Sequence, residues 1–164
     1  MNTATTTATR LRTAFAAAIA ASTLCAAPHA SGENLNYDAS GVATPLWSDT
    51  AGWKTEGGTA YGAVPSSSDT IWLNSASIAD PNPLRIASGT AAEAGKLIVC
   101  TTTAGDETAI QIEDGGSLAV SGTDATDFII DNSSGSKGIL RMTGGSVSSG
   151  GPMTIGGMDA ARSS

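Results

Sequence analysis

Two segments decide the fold: AIQIEDGGSLAVSG, residues 109–122, and GILRMTGGSVSSGG, residues 138–151. Ile112 matches Met142 at an offset of 30 residues, whereas the glycine pair and Leu118 match the second glycine pair and Val147 at an offset of 29. A one-residue slip in a turn explains both offsets. Repeats of this length, each too short to bury an apolar face alone, are typical of solenoid proteins.

Short apolar segments recur along the chain and are separated by Gly, Ser, Asp, Asn or Thr. Alternation over so few residues predicts β-strands. We predict strands at Ile71–Leu73, Leu84–Ile86, Leu97–Val99, Ile110–Ile112, Leu118–Val120, Phe128–Ile130, Ile139–Met142, Ser146–Ser148 and Met153–Ile155. The only candidate for a helical turn is Ala91–Lys96, because other windows lack helical spacing of apolar residues.

These strands predict an all-β fold, a parallel β-helix with an aromatic N-terminal cap. In this fold the repeats stack, and the register partners are expected to be Ile110 with Leu140, Ile112 with Met142 and Leu118 with Val147. An antiparallel β-sandwich is the alternative, since its strands are also short and separated by turns.

Residues 1–32 are predicted to be a Sec-type bacterial signal peptide, cleaved between about residues 25 and 32. Arg10 and Arg12 precede an alanine-rich apolar run over residues 13–24, and no acid precedes Glu33. The predicted location is therefore outside the cell or on the cell surface. Residues 33–70 are expected to form a linker and the aromatic cap, and residues 71–164 the β-helical repeats, incomplete at the C-terminus.

Removal of the signal peptide leaves six basic residues against 15 acids, a net charge of −9. This charge repels phosphate backbones and disfavours nucleic-acid binding. No apolar run long enough to span a membrane follows the signal peptide. Cys100 would have no disulfide partner, and its place after Leu97–Val99 predicts a small buried core residue.

Aromatic residues concentrate between residues 45 and 73, which hold Trp47, Trp53, Tyr61 and Trp72. A solenoid must cover its first apolar repeat, so these residues predict a cap. The same four side chains are the candidates for a sugar-stacking platform if their rings are exposed.

A family resemblance rests on the order of residues before the first predicted strand: Trp47, Trp53, Gly62, Val64, Pro65 and Asp69. Together with GGSLAV and GILRMTGGSVSSGGPMTIGG, this pattern resembles secreted bacterial proteins with autotransporter-associated β-strand repeats, many of which carry a PEP-CTERM sorting signal. The resemblance covers about residues 45 to 157. It implies export, a passenger-type β-helix and a role at the cell surface, with no shared catalytic residues.

Few residues of the sequence are candidates for catalysis or metal binding. The only histidine is His29, at the edge of the predicted signal peptide, so Ser/His/Asp and Cys/His sites lack a base. No catalytic residue and no cofactor is predicted. Acidic residues are the remaining candidates, and Asp124, Asp127 and Asp131 form the best calcium candidate.

The predicted function is therefore a structural or adhesive β-helix protein, secreted or on the cell surface, that is not an enzyme. The expected partners are a cell-surface or extracellular polysaccharide and further β-helix repeats that pair with its edge. The alternative is a carbohydrate-active β-helix enzyme or a carbohydrate-binding module.

Overall fold

The computed structural model describes residues 32–101, 103, 105–130 and 135–156. Within these residues the chain forms β-strands and a single 3-10 turn at Ala76–Ile78. The strands are β1 Asn34–Tyr37, β2 Trp53–Thr55, β3 Thr70–Leu73, β4 Leu84–Ile86, β5 Ala91–Ala94, β6 Lys96–Val99, β7 Glu107–Ile112, β8 Ser117–Val120, β9 Phe128–Ile130, β10 Lys137–Met142, β11 Ser146–Ser149 and β12 Met153–Ile155. The prediction of an all-β chain is confirmed.

The strands are distributed over three sheets, and from β3 onward each sheet takes every third strand. The largest sheet has the order β12-β9-β6-β3-β1-β2, and the other two have the orders β10-β7-β4 and β11-β8-β5. Every pairing between these strands is parallel except that of β1 with β2. An antiparallel sandwich, the alternative considered from the sequence, would require the opposite pairing.

The predicted pairing of the two repeats is confirmed. Leu140 is the register partner of Ile110, and Met142 is that of Ile112. The partner of Val147 is Leu118. The offset falls from 30 between β7 and β10 to 29 between β8 and β11, so the slip lies in the intervening turn.

Backbone geometry places the extra residue of this turn at Gly116. Gly115 and Gly145 both have a positive φ, 75° and 72°, and each lies three residues after the strand that precedes it. A Cβ at Gly144 would lie 2.6 Å from the Asp114 Cα, which also corresponds to an offset of 30. The alignment of the two glycine pairs at an offset of 29 is therefore wrong, because the offset within the turn is still 30. The offset of 29 begins with β8 and β11.

Alternate residues of each strand face a common core. In β3 the side chains of Ile71 and Leu73 are buried and that of Trp72 is exposed, as the period of two residues requires. Equivalent alternation in the other strands builds one large cluster of aliphatic and aromatic residues. Ile98, Cys100 and Ile129 point to the opposite side of the largest sheet and form a second buried cluster. The prediction that Cys100 is buried is confirmed.

Burial decreases at the last strands, although their apolar residues continue the same columns. Met142 is 49% exposed, Met153 43% and Ile155 70%, whereas their register partners Ile112, Phe128 and Ile130 are buried. The inward side of β10 and β12 is thus an uncovered apolar surface.

Three strands depart from the expectation. Ala91–Ala94, part of the only predicted helical turn, forms β5, in which Ala92 and Ala94 are buried as partners of Leu118 and Val120. The helical prediction was wrong because tertiary pairing overrides the helix propensity of alanine. β1 and β2 lie in the segment predicted as linker and cap. The predicted signal peptide, apart from Gly32, and residues 157–164 lie outside the described residues.

Candidate functional site

Two of the four candidate stacking residues belong to the core. The Trp47 and Trp53 rings are buried and meet edge to face, with ring centres 4.9 Å apart. Tyr37 packs on the other side of Trp53 in the same manner, at 5.1 Å. The Trp53 Nε1 donates a hydrogen bond to the Trp47 carbonyl oxygen, 2.8 Å away. A sugar ring cannot reach either indole, so their assignment as stacking residues was wrong.

Tyr61 is held by a buried carboxylate. Its hydroxyl donates to the Asp69 Oδ2 over 3.3 Å, and its ring packs against the main core. Asp69 also accepts hydrogen bonds from the Glu33 amide at 2.9 Å and from the Ser66 amide at 2.7 Å. Desolvation, followed by the negative charge of Asp69, raises the pKa of Tyr61 to about 12. Asp69 therefore joins the residue that precedes β1, the loop before β3 and the hydroxyl group of Tyr61.

Trp72 differs from the other tryptophans because it faces outward from β3 and is 39% exposed. Its side chain lines a groove of about 510 Å³ on the outer face of the largest sheet. The polar residues of this groove come from β1, β3, β6 and two loops: Asn34, Asn36, Glu56, Thr70, Asn74 and Lys96. One aromatic ring is thus combined with three amides, one hydroxyl group, one acid and one base.

Three contacts orient polar groups of the groove. The Asn34 Nδ2 donates to the Glu56 Oε2 over 3.2 Å, and the Glu56 amide donates to the Asn34 carbonyl oxygen over 3.1 Å. At the start of β6, the Lys96 Nζ lies 3.8 Å from the Asp127 Oδ1. The groove therefore combines a carboxylate from the loop after β2 and an ammonium from β6 with the indole from β3.

The predicted calcium site is not assembled by the residues that the structure describes. The Asp127 Oδ2 accepts a hydrogen bond from the Asp124 amide at 2.9 Å, which closes a turn, and its other oxygen faces Lys96. Asp131 lies outside the described residues. Among residues 32–101, 103, 105–130 and 135–156, no group of three or more His, Cys, Asp or Glu side chains could hold a metal ion.

Other acidic residues serve as cross-strand partners of basic residues. Glu113 accepts a hydrogen bond from the Arg85 Nε over 2.6 Å and links the first two strands of its sheet. Glu107 pairs with Lys137, its register partner on β10. Glu113 and Glu107 therefore contact basic side chains of neighbouring strands.

Comparison with protein-family models, with curated proteins and with solved structures found no match for this chain. In the part of the chain that the structure describes, no helix is long and apolar enough to cross a membrane.

Trp72 was predictable from the aromatic-rich stretch of the sequence, but its polar neighbours were not predicted. Asn34 and Asn36 alternate with buried Leu35 and Tyr37, a pattern in the segment NLNY that could have predicted β1. Lys96 directly precedes a predicted strand and so belongs to the same sheet. Their meeting at Trp72 depends on the pairing order of β1, β3 and β6, which no local pattern reveals.

Proposed function

We propose that this chain is a secreted or cell-surface protein with a structural or adhesive role, built as a parallel β-helix whose coils form a stiff spacer. The observation that carries the proposal is the return of the chain to the same sheet at every third strand. We assign the protein no catalytic activity of its own.

Support for the β-helix comes from the columns of inward-facing side chains. Ile86, Ile112 and Met142 are successive register partners on β4, β7 and β10. Leu97 and Phe128 follow Ile71 in the same way in the largest sheet. Each fully buried aliphatic side chain contributes roughly 1.5 to 3 kcal/mol, so the columns favour regular stacking along one axis.

The uncovered surface formed by Met142, Met153 and Ile155 supports pairing with further repeats. Residues at these positions would be buried if another coil lay on them, as their partners Ile112, Phe128 and Ile130 are. Edge strands that expose backbone donors and acceptors also favour the addition of strands. We therefore propose that this end receives another β-helix repeat.

An added coil tests the β-helix. A copy of residues 131–156, inserted after Gly156, supplies one more set of three strands. We expect the insertion to raise the free energy of unfolding and its denaturant dependence, because it buries three apolar side chains and adds folded surface. The matched control is the same insertion with its copied Leu140, Met142, Val147 and Ile155 changed to serine. Equal stability of both insertions and the original chain would contradict the proposal.

Export is proposed from the residues before Glu33 and from the family resemblance. The full chain, expressed in a bacterium with a Sec pathway, should leave the cytoplasm with a new N-terminus between about residues 25 and 32. A variant with Arg10→Glu and Arg12→Glu is the control and should stay in the cytoplasm unprocessed. Cytoplasmic retention of both proteins, at full length, would refute the proposed location.

Carbohydrate binding is a second candidate function, and the groove at Trp72 is the observation that favours it. An exposed indole beside amide and carboxylate groups matches the apolar faces and hydroxyl edges of sugar rings. A carbohydrate-active enzyme is the less favoured form of this alternative, since Glu113 and Glu107 contact basic residues on neighbouring strands.

A further inference from the structure

The outer face of the largest sheet presents two parallel rows of side chains across β1, β3 and β6. The first row consists of the register partners Asn34, Thr70 and Lys96. The second row contains Trp72, whose partner on β6 is Ile98. Residues two positions apart on one face are separated by about 6.6 Å, and neighbouring strands by about 4.8 Å. The indole therefore lies one row from an amide and an ammonium group.

The groove continues toward the edge strand β2. A second depression of about 340 Å³ adjoins it, and the two share Asn36 and Asn74. Lys54 and Asp38 also line the second depression. The lining of the two depressions reaches from Lys96 on β6 to Lys54 on β2, across four neighbouring strands. A surface of this extent suits a chain of several units rather than a compact ligand.

The charges of this surface favour an uncharged ligand. Glu56 and Lys96 in the first depression carry opposite charges, as do Asp38 and Lys54 in the second. The chain as a whole has a net charge of −7, which opposes the approach of polyanions. Amide groups both donate and accept hydrogen bonds, and this is the property that sugar hydroxyl groups need from their partners.

The exposed indole of Trp72 indicates a ligand with an apolar face. Trp72 is 39% exposed although its neighbours Ile71 and Leu73 are buried, so a large apolar ring remains uncovered beside polar groups. Pyranose rings present C–H groups on one face and hydroxyl groups at the rim. Both parts of such a ring find partners here, the first on the indole and the second on Asn34, Asn36 and Glu56.

We propose that this surface binds a segment of an uncharged polysaccharide, with Trp72 as the stacking platform and the asparagine amides as the hydroxyl-binding groups. The assignment rests on the proposed adhesive role and names its class of partner. Stacking on Trp72 makes the largest contribution, because it removes the exposed indole from water.

Tryptophan fluorescence tests this inference directly on the full mature chain. Trp47 and Trp53 are buried, so acrylamide-accessible emission comes from Trp72. The probes are linear hexasaccharides of β-1,4-glucan, β-1,4-xylan, β-1,4-mannan and chitin, with polygalacturonate as an anionic comparison. We expect at least one neutral hexasaccharide to shift the emission to shorter wavelength and to protect it from acrylamide.

Variants separate stacking from folding. We expect Trp72→Ala to weaken the binding at least tenfold, Trp72→Phe to weaken it less and Asn36→Ala to weaken it severalfold, with unchanged thermal unfolding. Glu93→Ala is the control, because Glu93 is exposed on β5 in another sheet, and it should bind as the original chain does. Isothermal calorimetry on Trp72→Ala supplies a readout that does not depend on its fluorescence.

Several results would overturn the proposal: no response to any neutral hexasaccharide, binding of polygalacturonate alone, or undiminished binding by Trp72→Ala in calorimetry. Recognition of another protein at Trp72, detected with no sugar response, would overturn it as well. These results leave the export assay and the coil insertion unaffected. Failure of those two experiments with sugar binding intact would instead remove the proposed location and architecture.

Discussion

Replacement of Ile112 by alanine gives the most informative change in stability, because Met142 supplies a control in the same column. Ile112 is fully buried, with Ile86 as its partner on one side and Met142 on the other. Removal of such a side chain creates a cavity and costs about 2 to 5 kcal/mol. Met142→Ala removes a side chain of similar size that is 49% exposed, so we expect a cost of about 1 kcal/mol.

Equilibrium urea unfolding measures both costs. The buried indoles of Trp47 and Trp53 report the transition through their fluorescence. We expect the free energy of unfolding to fall by at least about 1 kcal/mol more in Ile112→Ala than in Met142→Ala, with similar denaturant dependence. Ile112→Asp should prevent stable folding, because burial of an unpaired charge costs on the order of several kcal/mol. A typical domain is stabilised by only about 5 to 15 kcal/mol. Equal losses in the two alanine variants would refute the stacking of these residues.

Three further predictions concern the N-terminal part and the turn between β10 and β11. Trp47→Phe should be about 1 to 2 kcal/mol less destabilising than Trp53→Phe in urea unfolding. The buried Trp47 Nε1 has no hydrogen-bond partner among the described residues, whereas Trp53→Phe removes the hydrogen bond from the Trp53 Nε1 to the Trp47 carbonyl oxygen. The raised pKa of Tyr61, about 12, means that the folded chain retains a proton that the unfolded chain releases above pH 10. The contribution of Tyr61 to the free energy of unfolding is therefore full below about pH 10 and is lost as the pH rises through about 12. Absorbance at 295 nm should report the ionisation, and thermal melts the loss of stability. Phenolate formation at about pH 10 in the folded protein would contradict this prediction. Gly144→Ala should lower the free energy of unfolding by about 1 to 3 kcal/mol, since the new Cβ would meet backbone atoms of Asp114 in the preceding repeat. Gly57→Ala is the control and should be neutral in thermal melts, because the space at its Cβ is open.

The strands of the C-terminal two thirds were predictable because apolar side chains alternate there with turn residues. Phe128–Ile130 and Met153–Ile155 have the predicted bounds, and the pairing of Ile112 with Met142 followed from the 30-residue offset. Ala91–Ala94 was missed because alanine has a high helix propensity, whereas its place in the sheet depends on pairing with Leu118 and Val120 of β8, which are distant in sequence.

The candidate site was less predictable because it depends on residues that are distant in sequence. Asn34, Trp72 and Lys96 come from three strands, and only the order of those strands in the sheet brings them together. Composition could not separate exposed Trp72 from buried Trp47 and Trp53, since all three lie in one aromatic-rich stretch. The role of Asp69 as a buried acceptor likewise needed the positions of Glu33 and Ser66.

The most direct test of the stacked arrangement is a methyl NOE spectrum of the protein, labelled at isoleucine and methionine methyl groups. The account predicts NOEs from Ile112 to Ile86 and to Met142, because these residues are register partners on adjacent parallel strands. A spectrum in which assigned Ile112 methyl groups show NOEs to neither residue would contradict it.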